Sequence, residues 1–323
     1  MQAVVLREFG PPSALVAADV ADPIARAGQA LIEVEFASVT FVETQLRAGR
    51  PPNPAMLPRL PAILGNGVGG VVSALGKGVD QALVGRRVVA SLGGSGGYAE
   101  RVAADGDALV DIPDQLSTRE AVALLADGRT AMLLMRAAAV RPGETVLVEA
   151  AAGGVGSLLV QLARNAGARV VGAAGGMRKL AIARELGANV VVDYSDPGWP
   201  GQLRAELEGI DVVFDGVGGA IGRSAFDLLR AGGRFSAFGM ASGAFAQISE
   251  AEAASRRVTL VGSARLAAPE LRELVRAALA EAVAGRLRPL IGQIFPLDQA
   301  AGAHAAIEQR ATVGKTLLDC KRA

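Results

Sequence analysis

The segment Thr145–Val146–Leu147–Val148–Glu149 runs directly into Ala150–Ala151–Ala152–Gly153–Gly154–Val155–Gly156. The first five residues read as a buried strand, and the apolar run Val155–Ala166 reads as a helix. A strand, a glycine turn and a helix in this order predict a βαβ unit that binds a dinucleotide. The turn is a G-x-G-x-x-G variant in which Ala151 takes the place of the first glycine. Gly153 lets the main chain approach a pyrophosphate, and Gly156 permits close packing of helix on strand. Ala152, Gly154 and Val155 complete the loop, and the helix start offers unpaired N–H groups and a positive dipole end to phosphate.

Strands expected at Arg169–Ala173, Val190–Asp193, Asp211–Phe214, Arg234–Phe238 and Thr259–Ser263 alternate with helices at Arg178–Leu186 and Ala220–Leu229. That alternation predicts a doubly wound parallel sheet, an α/β fold. Residues 1–118 differ. Short apolar runs at Ala3–Leu6, Gln29–Phe36, Val68–Leu75, Arg86–Ser91 and Tyr98–Ala103 lie between glycine-rich turns and predict a β-rich domain. Thr118 reads as the cap of a helix reaching Leu125, with a second helix over Arg129–Ala139. The tail reads as a helix at Glu270–Ala284 and a last strand at Lys315–Leu318. Two domains follow: residues 1–118 with 266–323, and residues 119–265.

Charge narrows the function classes. Thirty-three basic and 32 acidic residues leave a net charge of +1. Nothing in that balance suits nucleic acid or an anionic membrane. No apolar run is long enough to span a bilayer, and the start lacks a signal-peptide layout, so a cytoplasmic location is expected. Cys320 and His304 are the sole cysteine and histidine. No intrachain disulfide can form, and a zinc site is not expected.

The choice between NAD and NADP lies at the end of the second strand. An NAD site places an acid there to accept from the ribose 2′-OH. Here Val171–Gly172–Ala173–Ala174–Gly175–Gly176–Met177–Arg178–Lys179 contains no acid and two cations. A 2′-phosphate attracts Arg178 and Lys179, so NADPH is the expected cofactor.

The whole chain resembles the zinc-independent quinone oxidoreductases, the zeta-crystallin-like branch of the medium-chain dehydrogenase/reductase superfamily. Residues 150–164 are similar to that family's nucleotide turn and 175–196 to its next βα unit. Residues 60–79, 85–90, 211–219, 229–239 and 313–318 resemble its remaining sheet segments. The resemblance implies a β-rich GroES-like catalytic domain beside a Rossmann domain. It implies cofactor contacts at Thr130, Gly175, Lys179, Tyr194, Val217, Phe238, Gly239, Gly262 and Lys315. It also implies a reductase that transfers hydride to a quinone or activated alkene, a small apolar electrophile. A structural or regulatory NADPH-binding protein of the zeta-crystallin type is the second reading. In the resembled family a late strand pairs across a two-fold axis, so a homodimer centred on residues 259–265 is expected.

The departures from the family also inform. Zinc-containing relatives carry a cysteine within the segment matching Ser38–Glu43 and a His–Glu pair where this chain has Asn66–Gly67. The tyrosine that some enoyl reductases carry after an R-x-G motif does not follow Arg47–Ala48–Gly49. Thr40 stands at the family's asparagine beside the nicotinamide. Thr40 and Asn66 are therefore the candidate catalytic donors. Tyr98 reads as a packed core or cleft-wall residue, His304 as a surface or core residue of a terminal helix, and Cys320 as structural.

Overall fold

The computed structural model describes residues 1–262 and 266–321. The chain divides into two compact units. Unit 1 takes Met1–Gly128, Ala268–Val283 and the chain from Pro289 onward; unit 2 takes the described part of 129–267 with 284–288.

Unit 1 opens with β1 (Gln2–Leu6), β2 (Leu15–Asp19) and β3 (Gln29–Val39), then α1 (Phe41–Arg47). There follow β4 (Ala62–Ile63), β5 (Gly67–Leu75), β6 (Arg87–Ser91), β7 (Arg101–Asp105) and β8 (Leu109–Asp111). The helix α2 (Thr118–Ala138) then runs 21 residues without a break. Two expectations are corrected here. The cap is Ser117, whose Oγ accepts from Glu120 N while the Glu120 carboxylate accepts from Ser117 N, a reciprocal capping box. The two expected helices are one, because Gly128 does not break the helix: a Cβ there would lie 2.9 Å from Ala278 Cβ. Gly128 is a point of close packing.

Unit 2 contains β9 (Thr145–Glu149), α3 (Gly154–Asn165), β10 (Arg169–Ala174), α4 (Met177–Glu185), β11 (Val190–Asp193) and α5 (Trp199–Glu206). It continues with β12 (Ile210–Asp215), α6 (Gly219–Phe226), β13 (Leu229–Ala237), α7 (Glu250–Ser255) and β14 (Thr259–Leu260). All six strands pair in parallel in the order β11-β10-β9-β12-β13-β14. This is the doubly wound dinucleotide fold, whose direction reverses between β9 and β12. Both faces are covered, so every residue of β12 is buried, as central parallel strands require. Leu147, Val171, Trp199, Val213, Phe226 and Phe235 anchor the core. The expected helix at Ala220–Leu229 ends at Phe226, and Leu229 already belongs to β13. The expected strand Thr259–Ser263 is Thr259–Leu260, and Ser263 lies outside the described residues.

The chain returns to unit 1 through α8 (Ala268–Val283), β15 (Ile291–Pro296), α9 (Ala300–Glu308) and β16 (Lys315–Asp319). One sheet has the order β15-β16-β3-β5-β6-β8, with β7 also paired to β3, and a second has the order β2-β1-β4. The expected strand at Tyr98–Ala103 begins only at Arg101, because Tyr98 and Ala99 turn toward β1: Val4 N donates to Tyr98 O, and Ala99 bridges Ala3.

At the reversal point of unit 2, Glu149 ends β9 and Asp215 ends β12, both fully buried. Val217 N donates to Asp215 Oδ1 at 2.9 Å and to Glu149 Oε2 at 3.3 Å, and Gly218 N donates to Asp215 Oδ1 at 2.6 Å. Burial, and then Asp215, push the Glu149 carboxyl well above the usual glutamate value. Two carboxyls this close cannot both ionise in a dry site, so Glu149 retains a proton. A raised native value means the associated stability is complete below the unfolded value of about 4.3. It is lost as pH rises through the native value. Glu149→Gln is therefore expected to gain melting temperature relative to wild type as pH rises. A difference in melting temperature that stays constant across pH would contradict the proton on Glu149.

Candidate functional site

In unit 1, β3 ends at Val39 and Thr40 caps α1. Thr40 is extended, with φ −117° and ψ 160°. Its Oγ1 accepts from Glu43 N at 3.4 Å, while Glu43 Oε2 accepts from Thr40 N at 2.6 Å. This is the reciprocal pairing of a T-x-x-E box. Such a glutamate commonly faces water; Glu43 is only 2% exposed.

Burial is compensated by a ring of donors. Glu43 Oε2 also accepts from Thr40 Oγ1 at 3.1 Å and Tyr98 OH at 3.2 Å, and Oε1 accepts from Asn66 N at 2.8 Å. Tyr98 OH lies 3.0 Å from His304 Nε2, with the two rings edge to face. Lys315, buried at the start of β16, acts on Glu43 electrostatically while its Nζ donates to Asp127 Oδ1 at 3.1 Å.

These environments set protonation. Burial raises the Glu43 carboxyl above its usual range, opposed by hydrogen bonds from Asn66 and Thr40 and by the charge of Lys315. Burial drives the Tyr98 phenol well above its ordinary value. Burial, aided by the Arg47 charge, lowers His304 to about 3. His304 is therefore a neutral imidazole at physiological pH.

Thr40 and Asn66 are each half-buried, and the structure joins them through the two oxygens of Glu43. The Asn66 carboxamide oxygen accepts from Leu92 N at 3.1 Å and Gly94 N at 2.8 Å. That fixes the amide and leaves its NH2 end as the donor. Glu43, Tyr98 and His304 are what sequence reasoning missed. The T-x-x-E spacing of Thr40 and Glu43 was the available signal for the first; Tyr98 and His304 lie 206 residues apart, and no local pattern links them.

In unit 2, α3 begins at Gly154 with Gly153 as its cap. A Cβ on Gly156 would fall 2.2 Å from Ala150 O, and Gly153 N donates to that same oxygen at 2.7 Å. The turn is a backbone cradle that a side chain would fill. Ala152 is buried within it, and Gly154 and Val155 open the helix. The N–H groups at this helix start suit a pyrophosphate. Ala151 fits in place of glycine because Gly172 on β10 leaves room: a Cβ there would already touch the Ala151 methyl at 3.4 Å.

At the end of β10, Gly175 lies against the ring of Tyr194, and Arg178 and Lys179 sit in the first turn of α4. The acid near this point, Asp193, is committed: Oδ2 accepts from Gly176 N at 3.1 Å and Oδ1 from Ser195 N at 2.9 Å. Val217 is held on the Glu149–Asp215 pair. Phe238 N and Gly239 N donate to Asp215 O at 2.9 and 3.2 Å, and the Phe238 ring covers Gly216. Gly262 follows β14, with open space where a Cβ would stand. Thr130 lies inside α2 and does not initiate a helix. Lys315 belongs to unit 1, ion-paired beside Glu43.

Among the described residues no group of three or more His, Cys, Asp or Glu is placed to hold a metal ion. His304 is committed to Tyr98. The Cys320 thiol is buried, and burial raises it far above its ordinary value. These residues do not fit a zinc site.

Residues 26–114 match the alcohol dehydrogenase GroES-like domain, and residues 154–280 match the zinc-binding dehydrogenase family. The chain is 33% identical to quinone oxidoreductase of Sus scrofa, covering 98% of this chain and 97% of that one. It is 31% identical to 2-haloacrylate reductase of a Burkholderia species, covering 98% of each. The solved structure of Escherichia coli quinone oxidoreductase complexed with NADPH superposes with a TM-score of 0.90 at 27% identity, over 99% of this chain and all of that one.

The cradle yields a direct test. Gly156→Ala places a methyl against a backbone oxygen that cannot swing away. Dinucleotide affinity is expected to fall by about tenfold or more, with a loss of about 1–3 kcal/mol of stability. Fluorescence titration and thermal melting measure both; wild-type values for both would contradict the assignment.

Proposed function

The chain belongs to the quinone oxidoreductase branch of the medium-chain dehydrogenase/reductase superfamily, and from that premise we propose that it is an NADPH-dependent reductase of quinones or activated alkenes that works without metal. The observation that carries this reading is the cradle at Gly156, a backbone pocket at the start of α3 and at the reversal point of a parallel sheet. Bound NADPH supplies the hydride. Gly153, Gly154, Val155 and Gly156 hold the pyrophosphate, while Arg178, Lys179 and Tyr194 receive the 2′-phosphate.

Unit 1 supplies the polar groups. Reduction of a quinone or enone builds negative charge on an oxygen, and fixed donors lower that barrier. The Asn66 amide, oriented by hydrogen bonds already made within the protein, is such a donor, and the Thr40 hydroxyl becomes one by turning its single proton from Glu43 to the substrate oxygen. Preorganised donors replace the Lewis acid of the zinc enzymes.

The dimer belongs to the same proposal. Among the described residues β14 pairs only with β13 and stands at the edge of the sheet. A symmetric contact across that edge satisfies its free backbone groups. No helix among the described residues is long and apolar enough to cross a membrane. A cytoplasmic location fits a chain whose one thiol, Cys320, is buried and unpaired.

Three outcomes are expected. NADPH binds at least about tenfold more tightly than NADH, equivalent to about 1.4 kcal/mol, and Lys179→Ala erodes that preference. Purified protein reduces members of a quinone and enone panel, with rates unchanged by a chelator. Light scattering finds a dimer. Equal affinity for both cofactors, activity lost to chelation and restored by zinc, or binding of NADPH without turnover of any panel member would each overturn the corresponding part.

A further inference from the structure

Glu43, Tyr98 and His304 form a continuous chain of hydrogen bonds that ends at Thr40. The links are Thr40 Oγ1 to Glu43 Oε2 at 3.1 Å, Tyr98 OH to Glu43 Oε2 at 3.2 Å, and Tyr98 OH to His304 Nε2 at 3.0 Å. The three inner residues are almost completely buried. At the far end His304 Nδ1 is buried with no partner among the described residues, and so are Nε and Nη1 of Arg47. Arg47 is ion-paired through Nη2 with Glu308, whose side chain is 26% exposed.

Packing alone does not explain this arrangement. Leaving a buried polar atom unpaired costs about 1–3 kcal/mol, and a core serving only packing would fill the space with apolar groups. An imidazole bonded at one nitrogen and open at the other can take a proton on one side and pass one on at the other.

We propose that Glu43, Tyr98 and His304 are a proton relay that recharges the Thr40 hydroxyl during reduction. The inference rests on Thr40 facing the substrate oxygen. Hydride addition leaves an oxyanion on the substrate, and Thr40 Oγ1 gives it a proton, forming one O–H bond. Thr40 regains its proton through Glu43, whose carboxylate takes the proton of the Tyr98 phenol and passes it to Thr40, while Tyr98 takes that of His304 Nε2. His304 Nδ1 gains one from water on the Arg47 and Glu308 side. Each member loses one proton and gains one, so no phenolate accumulates, and the net consumption is one hydride and one proton per substrate.

The local charges suit the task. Glu43 faces Lys315 and the Tyr98 phenol; Tyr98 faces Glu43 and Cys320; His304 faces Arg47 and Tyr98; Arg47 faces Glu308 and Arg50. Burial raises the Glu43 carboxyl above its usual range, so it takes up a proton more readily than an exposed glutamate, and burial keeps His304 neutral. A neutral imidazole both donates and accepts; an imidazolium only donates.

Tyr98→Phe keeps the ring and removes the link, and His304→Gln is the second variant. Both should lower kcat by at least about tenfold while NADPH affinity stays near wild type and circular dichroism shows the fold retained, with a melting temperature lowered by no more than the loss of one or two buried hydrogen bonds accounts for. Imidazole buffer should restore the Tyr98→Phe rate in proportion to its concentration and leave wild type unchanged, because a small acid then replaces the missing donor. Because the chain has one histidine, 15N-histidine labelling reports His304 alone in the protein without substrate. Its nitrogens should remain those of a neutral ring from about pH 5 to about pH 8, and the Nε2 hydrogen-bond signature should vanish in Tyr98→Phe. Two well-folded variants with wild-type kcat and pH profile would overturn the relay. If Thr40→Val impairs turnover while those two do not, the relay alone is wrong. If Thr40→Val turns over like wild type, the reading of Thr40 fails, and the exit of the relay with it.

Discussion

The carboxyl of Glu43 meets donors from three separate parts of unit 1: the cap of α1, the turn at Asn66 and the segment at Tyr98. Taking a carboxylate out of water costs several kcal/mol unless its lone pairs are satisfied. Both oxygens of Glu43 are engaged, and the cost is offset only while Thr40, Asn66 and Tyr98 stay in place. The dependence is mutual. Moving any one of these segments strands a buried charge, so the groups proposed to meet substrate are fixed as a set. Preorganisation of this kind lets uncharged donors stabilise an oxyanion.

Unit 2 solves its problem by a different means. The surface we propose for the dinucleotide is made of backbone: the cradle above Ala150, the first turns of α3 and α4, and Val217 on the Glu149–Asp215 pair. Side chains are excluded there by steric contact, as at Gly156. The buried carboxyl pair holds the turn after β12 in the same way that Glu43 holds the cap of α1. In both units a buried acid takes backbone N–H groups that would otherwise lack partners.

Much of this was legible in the sequence. Parallel strands buried on both faces read as apolar runs, which is why β9, β10, β11 and β12 stand out, and the glycine turn marks the first crossover. Other features were not legible, for physical reasons. Gly128 reads as a helix break because its packing partner, Ala278, lies 150 residues away. Leu229 reads as helix because Leu228 and Leu229 continue the apolar spacing of Ala225 and Phe226, although the helix has already ended at Phe226 and Leu229 opens β13. Thr40 and Asn66 stand out as substitutions at family positions, but the carboxyl that couples them is hidden by its chemistry. A capping-box glutamate looks the same in sequence whether it faces water or the core. The pairing of Tyr98 with His304 depends on bringing α9 against the β1 region, which is a tertiary event.

The most direct test of this account is Glu43→Gln, which keeps the size of the side chain and removes its charge. With folding verified, the steady-state kcat should fall at least about tenfold, while the Kd for NADPH, set in unit 2, should stay within about twofold of wild type. A variant that keeps wild-type kcat would show that the polar groups of unit 1 do not depend on this carboxyl, and would contradict the account.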